Sequence, residues 1–230
     1  MKILCMNLNG NDDKEIKDKY SDCNLFAYQE STKNLTGRTK INTVIIDKKN
    51  NDNILKGTEK FKKLWEFYFP WLVFPENYFS EIEYMDENSN ISFKLVNVHL
   101  AAFYSGKKHL LEFVLLERLK ELVKENKNVI LLGDFNAQKI VSRKKQGSQF
   151  LEKVEELGFE EIFSENEKKE KTIIPTYYYK ERGLRYDHVY IRRFNDFAKD
   201  IEITYYPEYK DGEKSISGLS DHRGIILEWK

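Results

Sequence analysis

Cysteine is scarce in this chain: Cys5 and Cys23 are the two present in 230 residues. Two thiols make neither a disulfide framework nor a zinc-ligand cluster, so both are expected to be reduced packing residues. Four prolines and eleven glycines leave no segment rich enough in either to serve as a linker. Collagen-like repeats are therefore excluded, and one domain over residues 1–230 is expected. No apolar run approaches the roughly 20 residues that cross a bilayer. The opening MKILCMNLNG is too short for a secretory apolar region followed by a cleavage site, which gives the expectation of a cytoplasmic protein. The phosphate loop G-x-x-x-x-G-K-[ST] is missing, which argues against a nucleotide-driven motor or kinase. An excess of one charge is missing too, since 38 Lys and Arg face 38 Asp and Glu. A neutral chain lacks the broad basic surface of a simple nucleic-acid or anionic-membrane binder. If it meets a phosphate, charge must be arranged locally or supplied by a metal.

What is present suffices for a full core: 40% of residues are hydrophobic and 14% aromatic, which excludes intrinsic disorder. Short apolar runs at 2–8, 24–29, 43–47, 80–85, 91–99, 128–132, 185–191, 201–206 and 224–229 read as strands. Residues 12–20, 107–125 and 146–157 read as helices, with Gly158 stopping the last. The aromatic stretch 61–79 offers base-stacking surface, but Trp65, Phe69 and Leu72 fall at helical spacing and favour core packing. Interleaved strands and helices place the chain in the α/β or α+β class.

Nearly every predicted core strand ends, or is interrupted, at a carboxylate, amide or imidazole. Asn7, Glu30, His99, Asp134 and Asn136 follow apolar runs, Asp187 and His188 interrupt one, and Asp221 and His222 precede the last. In open α/β sheets ligands gather at the carboxyl ends of strands, so the repeated polar endings read as one shared site. Glu30, Asp134 and Asp221 are hard oxygen ligands suited to Mg²⁺, and imidazoles serve as general acids or as cations for developing negative charge. Taken singly each residue has a plainer reading. Asn7, Asp134 and Asn136 suit turns, Glu30 suits a helix N-terminus, and His99 and His222 suit satisfied structural positions. A charge in mid-strand at Asp187 is harder to place without a partner.

Residues 2–10 (KILCMNLNG), Tyr28-Gln29-Glu30, Asn97-Val98-His99-Leu100, residues 133–137 (GDFNA), residues 185–189 (RYDHV) and Leu219-Ser220-Asp221-His222 occur in the order seen in the endonuclease/exonuclease/phosphatase superfamily. Over essentially its whole length the chain resembles that deoxyribonuclease I-like family. The resemblance implies a four-layer sandwich of two packed mixed β-sheets flanked by helices. It also implies phosphoester hydrolysis by water with Mg²⁺, or Mn²⁺ in its place. Glu30 is then the principal metal ligand with Asn7 and Asp221, Asp134 activates or orients water, and Asn136 binds the scissile phosphate. His222 contacts phosphate with Asp187 fixing its tautomer, and His99 is the second imidazole. Asn9, Arg185, Lys139 and Arg143 are the expected substrate contacts, the last two in a basic segment at 139–145. A carboxylate orienting His99 is expected from Glu81 or Glu83.

His99 stands where abasic-site endonucleases of the family usually carry a tyrosine motif, so a nuclease or general phosphodiesterase of the histidine branch is expected. A phosphatase or phosphodiesterase of small phosphorylated molecules or phospholipids is the alternative, and a non-catalytic binding module the remote one. No arginine lies between Arg38 and Arg118, so phosphate contact there must come from a Lys, a Tyr or backbone. Nothing calls for an obligate protein partner; the expected partner is nucleic acid or another phosphodiester. Neutrality yields a measurable expectation for a nucleic-acid substrate. The slope of log K against log salt, followed by fluorescence anisotropy, should be shallower than roughly −5, the value for about six phosphate contacts. A steeper slope would show an extended basic surface.

Overall fold

The computed structural model describes residues 1–31, 41–47, 53–55, 58–75, 78–86, 90–102, 106–138, 147–198, 200–210, 212–213, 215–216 and 218–229. The first part runs β1 (Lys2–Asn7), α1 (Lys14–Lys19), β2 (Leu25–Ser31), β3 (Ile41–Asp47), β4 (Asn53–Leu55) and α2 (Glu59–Tyr68). It continues through β5 (Phe79–Asp86), β6 (Ile91–His99), α3 (Gly106–Lys124), β7 (Val129–Asp134) and α4 (Gly147–Glu156). The last part holds β8 (Glu160–Glu161), α5 (Glu165–Glu170), β9 (Tyr177–Tyr179), β10 (Arg182–Leu184), β11 (Asp187–Arg192), β12 (Glu202–Tyr206) and β13 (Gly224–Glu228).

Two mixed sheets result, ordered β12-β13-β1-β2-β3-β4 and β5-β6-β7-β11-β8, with β9 and β10 as a separate hairpin. Each has one parallel pair, β1 with β2 and β6 with β7. Three apolar clusters set the layers. Ile3, Leu25, Leu95, Ile130 and Ile225 fill the space between the sheets. Phe61, Leu111, Leu119 and Phe150 pack α2, α3 and α4 on the outer face of the five-stranded sheet. Ile16 brings α1 onto the outer face of the other, with Leu4 and Phe26. Helices thus flank a pair of face-packed sheets, and the purely apolar run of β7 is explained by cover on both faces. No helix among the described residues is long and apolar enough to cross a membrane.

Most of the expected elements are present at nearly the expected bounds. Five short ones have no counterpart in the sequence reading: β4, β8, α5, β9 and β10. Helix α5 carries a legible signal, Ser164 and Glu167 forming a reciprocal capping box. Asp187 begins β11 rather than interrupting a strand. In the aromatic stretch, Phe61 and Trp65 are core as expected, whereas Phe67, Trp71 and Val73 are exposed.

Gly133 shows how tightly the site end of β7 is built. Its φ is +132°, and a Cβ there would lie 2.0 Å from the carbonyl oxygen of Val98 on β6. That atom is backbone inside a ladder and has nowhere to move. Gly133→Ala should abolish folding or cost more than about 4 kcal/mol, as read by urea denaturation; a loss under about 1 kcal/mol would show that the β6–β7 pairing is not rigid here.

Candidate active site

The strand ends converge because of their directions. Parallel strands β1 and β2 deliver Asn7 and Glu30 at their carboxyl ends, and β6 and β7 deliver His99 and Asp134 at theirs. Antiparallel β11 and β13 start from the same end, so Asp187 opens β11 while Asp221 and His222 lie just before β13. A cleft of about 600 Å³ is lined there by Asn9, Glu30, His99, Asp134, Asn136, Asp221 and His222. A groove of about 650 Å³ beside β12, lined by Tyr20, Tyr206 and Tyr209, holds none of these groups.

The contacts inside are close. Nδ1 of His222 lies 2.8 Å from Oδ2 of the buried Asp187, and its Nε2 lies 3.9 Å from Asp134. Nε2 of His99 lies 3.5 Å from Glu30 and 3.8 Å from Asp134. The amide of Asn7 donates to Asp134 at 3.1 Å and to Glu30 at 3.4 Å. Asp134 also accepts from the backbone of Asn136, whose side chain donates to the Leu100 carbonyl. Asn9, Glu30 and Asn136 hold left-handed backbone, with φ of +47°, +49° and +46°. For Asn this is tolerable; for Glu30 within a strand it is an outlier of the kind that gathers at functional sites.

Burial and charge shift the protonation of these groups. Burial pulls His222 down, but the adjoining Asp187 carboxylate, with Asp134 and Asp221, outweighs it and pushes the imidazole up to about 10. Burial pushes the Asp134 carboxyl up, with the His222 imidazole pulling against it and Asp187 adding to the rise. Carboxylates outnumber cations here, and Asp134, Asp187 and His222 offer ligand atoms all within 4.8 Å of one another. The carboxylate oxygens of this cleft, those of Glu30 and Asp221 among them, fit a hard divalent cation. The nearby Cys5 thiol does not enter the set, because burial raises it and Gln29 donates to its sulfur.

Several expectations need correction. Asn7 uses its Oδ1 to accept the Asn9 backbone N–H, which turns its NH₂ toward the carboxylates, so it ties them together instead of offering an oxygen ligand. Arg185 does not reach the cleft: its guanidinium is buried, with Nη1 donating to Glu167 and Tyr205 and Nε 3.3 Å from Glu161. Neither Glu81 nor Glu83 orients His99. Glu81 takes both terminal and inner nitrogens of Arg118 on α3, and Glu83 pairs with Lys94 and Lys127. Asn9 and Asp221 are exposed on the cleft wall, while Lys139 and Arg143, with the whole basic segment, lie outside the described residues.

The sequence reading missed one wall. Tyr177 and Tyr179 of β9, with Leu184 and Tyr186, line the cleft. Tyr177 stacks on Tyr186 at 5.5 Å and 18° and tilts over His222 at 4.9 Å. The available signal was compositional, three consecutive tyrosines at 177–179 favouring a strand. Lys108, buried at the start of α3, donates to the Asn136 carbonyl at 2.6 Å.

The raised His222 supplies a test with a definite sign. A folded value of about 10 against the ordinary 6.5 means that this group's stabilisation is complete below about pH 6.5 and is lost as pH rises toward 10. In Asp187→Asn the main raising charge is gone while burial remains, so His222 should titrate lower than in the wild type by NMR. Its share of the decline in stability between pH 6.5 and 10 should shrink. An unchanged titration would refute the pairing.

No family profile matches the sequence, and no characterised protein matches it by sequence. Solved structures do match. The catalytic domain of Xenopus laevis APE2 aligns with a TM-score of 0.63 at 14% identity, covering 99% of this chain and 91% of that one. The endonuclease domain of TRAS1, a telomere-specific non-LTR retrotransposon, aligns with a TM-score of 0.61 at 15% identity over 98% and 96%. The 3′ phosphatase NExo from Neisseria, bound to product DNA hairpin, aligns with a TM-score of 0.61 at 14% identity over 100% and 99%. Its structural neighbours are nucleases and phosphatases, and the chain has the deoxyribonuclease I-like fold of the endonuclease/exonuclease/phosphatase proteins.

Proposed function

We propose that the protein is a metal-dependent phosphodiesterase that hydrolyses nucleic acid by in-line attack of water. The observation that carries this reading is one cleft holding the Asp187–His222 pair, Asp134 and Glu30 together. Glu30, half-buried, and Asp221, exposed, both on the cleft wall, would hold Mg²⁺ or Mn²⁺, with Asn7 fixing Glu30. A bound divalent cation supplies neutralisation of phosphoryl charge and a lowered pKa for water. Asp134 orients the attacking water and takes its proton. His222, held protonated by Asp187, presents Nε2–H to a phosphoryl oxygen, and His99 presents its Nε2 to another. Asn136, seated by Lys108 and Leu100, offers the remaining N–H of its amide to the same phosphate.

A nucleic-acid substrate is supported by the tyrosine wall, whose faces suit base stacking, and by two of the similar structures, an endonuclease domain and a 3′ phosphatase bound to product DNA hairpin. The second reading, a phosphatase or phosphodiesterase of small phosphorylated molecules or phospholipids, is favoured by cation scarcity. Lys108 is the one lysine or arginine among the described cleft-lining residues.

The test is hydrolysis of single- and double-stranded DNA, RNA, bis-(p-nitrophenyl) phosphate, sphingomyelin and inositol phosphates with Mg²⁺, Mn²⁺ or EDTA. Metal-dependent cleavage of a nucleic acid supports the first reading; cleavage confined to the small or lipid substrates replaces it with the second. Glu30→Ala and His222→Ala should each lower kcat by about 10²–10⁴ while still unfolding cooperatively. A fully active variant of either would refute its assigned role.

A further inference from the structure

Removing Glu81 and Glu83 as partners leaves the inner nitrogen of His99 to be explained. Nδ1 of His99 is buried without a hydrogen-bond partner among the described residues. Nε2 faces two carboxylates, Glu30 at 3.5 Å and Asp134 at 3.8 Å. Two acceptors call for a proton on Nε2, so Nδ1 is a lone pair in the neutral ring and an N–H in the imidazolium.

Strand register identifies the side chain placed to meet it. Ser80 on β5 pairs with Asn97 on β6, and residues opposite one another, like residues two apart, share a face. Ser80, Asn97 and His99 therefore project between the sheets, the face on which Ile82 and Tyr84 also pack. Glu81 and Glu83 have the opposite parity and project toward α3. Ser80 is diagonal to His99, a separation of about 7–8 Å that an imidazole and one water span. The Ser80 hydroxyl is fully buried and likewise without a partner. Asn97 between them accepts from Gln29, whose Oε1 is a third buried atom with no partner. Three such atoms on neighbouring side chains match the three hydrogen bonds a buried water typically makes.

We propose that Ser80 is a positioning residue for His99, its hydroxyl holding Nδ1 of the ring through one buried water. A hydroxyl donates to a lone pair and accepts from an N–H, whereas a carboxylate only accepts and would fix a proton at Nδ1. Ser80 thus holds the ring while leaving its proton free to stay on Nε2, toward the cleft. The positioning stands on geometry; its consequence for turnover rests on the phosphoester reading above.

Long-range ¹H–¹⁵N spectra of the four histidine rings in the full-length protein test it, with His99 assigned by the signals lost in His99→Gln. The ring ¹⁵N shifts of His99 should move in Ser80→Ala and return in Ser80→Thr. On the phosphodiester that is cleaved, kcat should fall about 10–100-fold in Ser80→Ala with KM unchanged. Should Ser80→Ala fail to fold, Ser80→Cys keeps the side-chain shape with a slightly larger atom, removes the strong hydrogen bond and should give the same displacement. His99 shifts identical in wild type and in the folded Ala or Cys variant would overturn the proposal. The ring signals need no substrate, so a protein that hydrolyses no phosphoester loses the functional reading while the spectra still decide the positioning.

Discussion

Among the described residues, polar contacts cross from one sheet to the other at a single end of the sandwich, and the site is built from them. Asn7 reaches Asp134, Gln29 reaches Asn97, Glu30 faces His99, and Asp187 pairs with His222. Elsewhere the same interface is aliphatic and aromatic. Apolar packing is non-directional and allows sheets to slide by fractions of an ångström, while hydrogen bonds between buried groups fix distance and angle. The polar end therefore sets the registry of the two sheets, and with it the spacing of every group that lines the cleft. Losing one partner of such a contact leaves the other buried and unsatisfied, at about 1–3 kcal/mol or more where a charge is involved. Substitutions here are thus structural and functional at once, and isosteric changes separate the two better than truncation to alanine.

Charge at this end is deliberately unbalanced. Asp134 and Asp187 are nearly inaccessible and close together, and the protein offsets them with imidazoles rather than with the arginines it uses elsewhere. Arg118 and Arg185 both sit against interior carboxylates, away from the cleft. A permanently charged guanidinium would neutralise a carboxylate for good; an imidazole neutralises it while keeping a transferable proton. Because Asp134 and His222 shift one another, rate-versus-pH data will report apparent values for that pair.

Sequence legibility followed local chemistry. The strands and helices with strong periodicity were readable, as were the polar residues at their ends, because a carboxylate closing an apolar run is conspicuous in one dimension. Direction was not. The rule of carboxyl strand ends covers Asn7, Glu30, His99 and Asp134, but Asp187 and Asp221 reach the same place from strands running the other way, which only pairing reveals. Parity was not legible either. Glu81 and Glu83 were attractive partners for His99 by residue type, yet one step along β5 turns a side chain through the sheet, and Ser80 holds the inward face. Arg185 failed for a related reason: next to a site residue in sequence, it points to the interior, where Glu161 and Glu167 claim it. The tyrosine wall depends on a three-residue strand pair that periodicity alone cannot detect.

Neutral net charge acquires a physical meaning from this arrangement. Across 230 residues, equal numbers of acids and bases say nothing about a cleft lined by Glu30, Asp134 and Asp221, with Asp187 buried behind His222. Locally the balance is negative until imidazolium or a divalent cation completes it, and a phosphate cannot approach four carboxylates unaided. Each cation added near the cleft would ease phosphate binding but weaken the hold on a metal, since both compete for the same carboxylate field. A chain with few fixed cations at its cleft favours the metal, and the phosphate is then recruited by that ion and by protonated histidine. Affinity for a long polyanion is modest by this logic, whereas discrimination falls to the shape of the cleft and to the tyrosines beside His222.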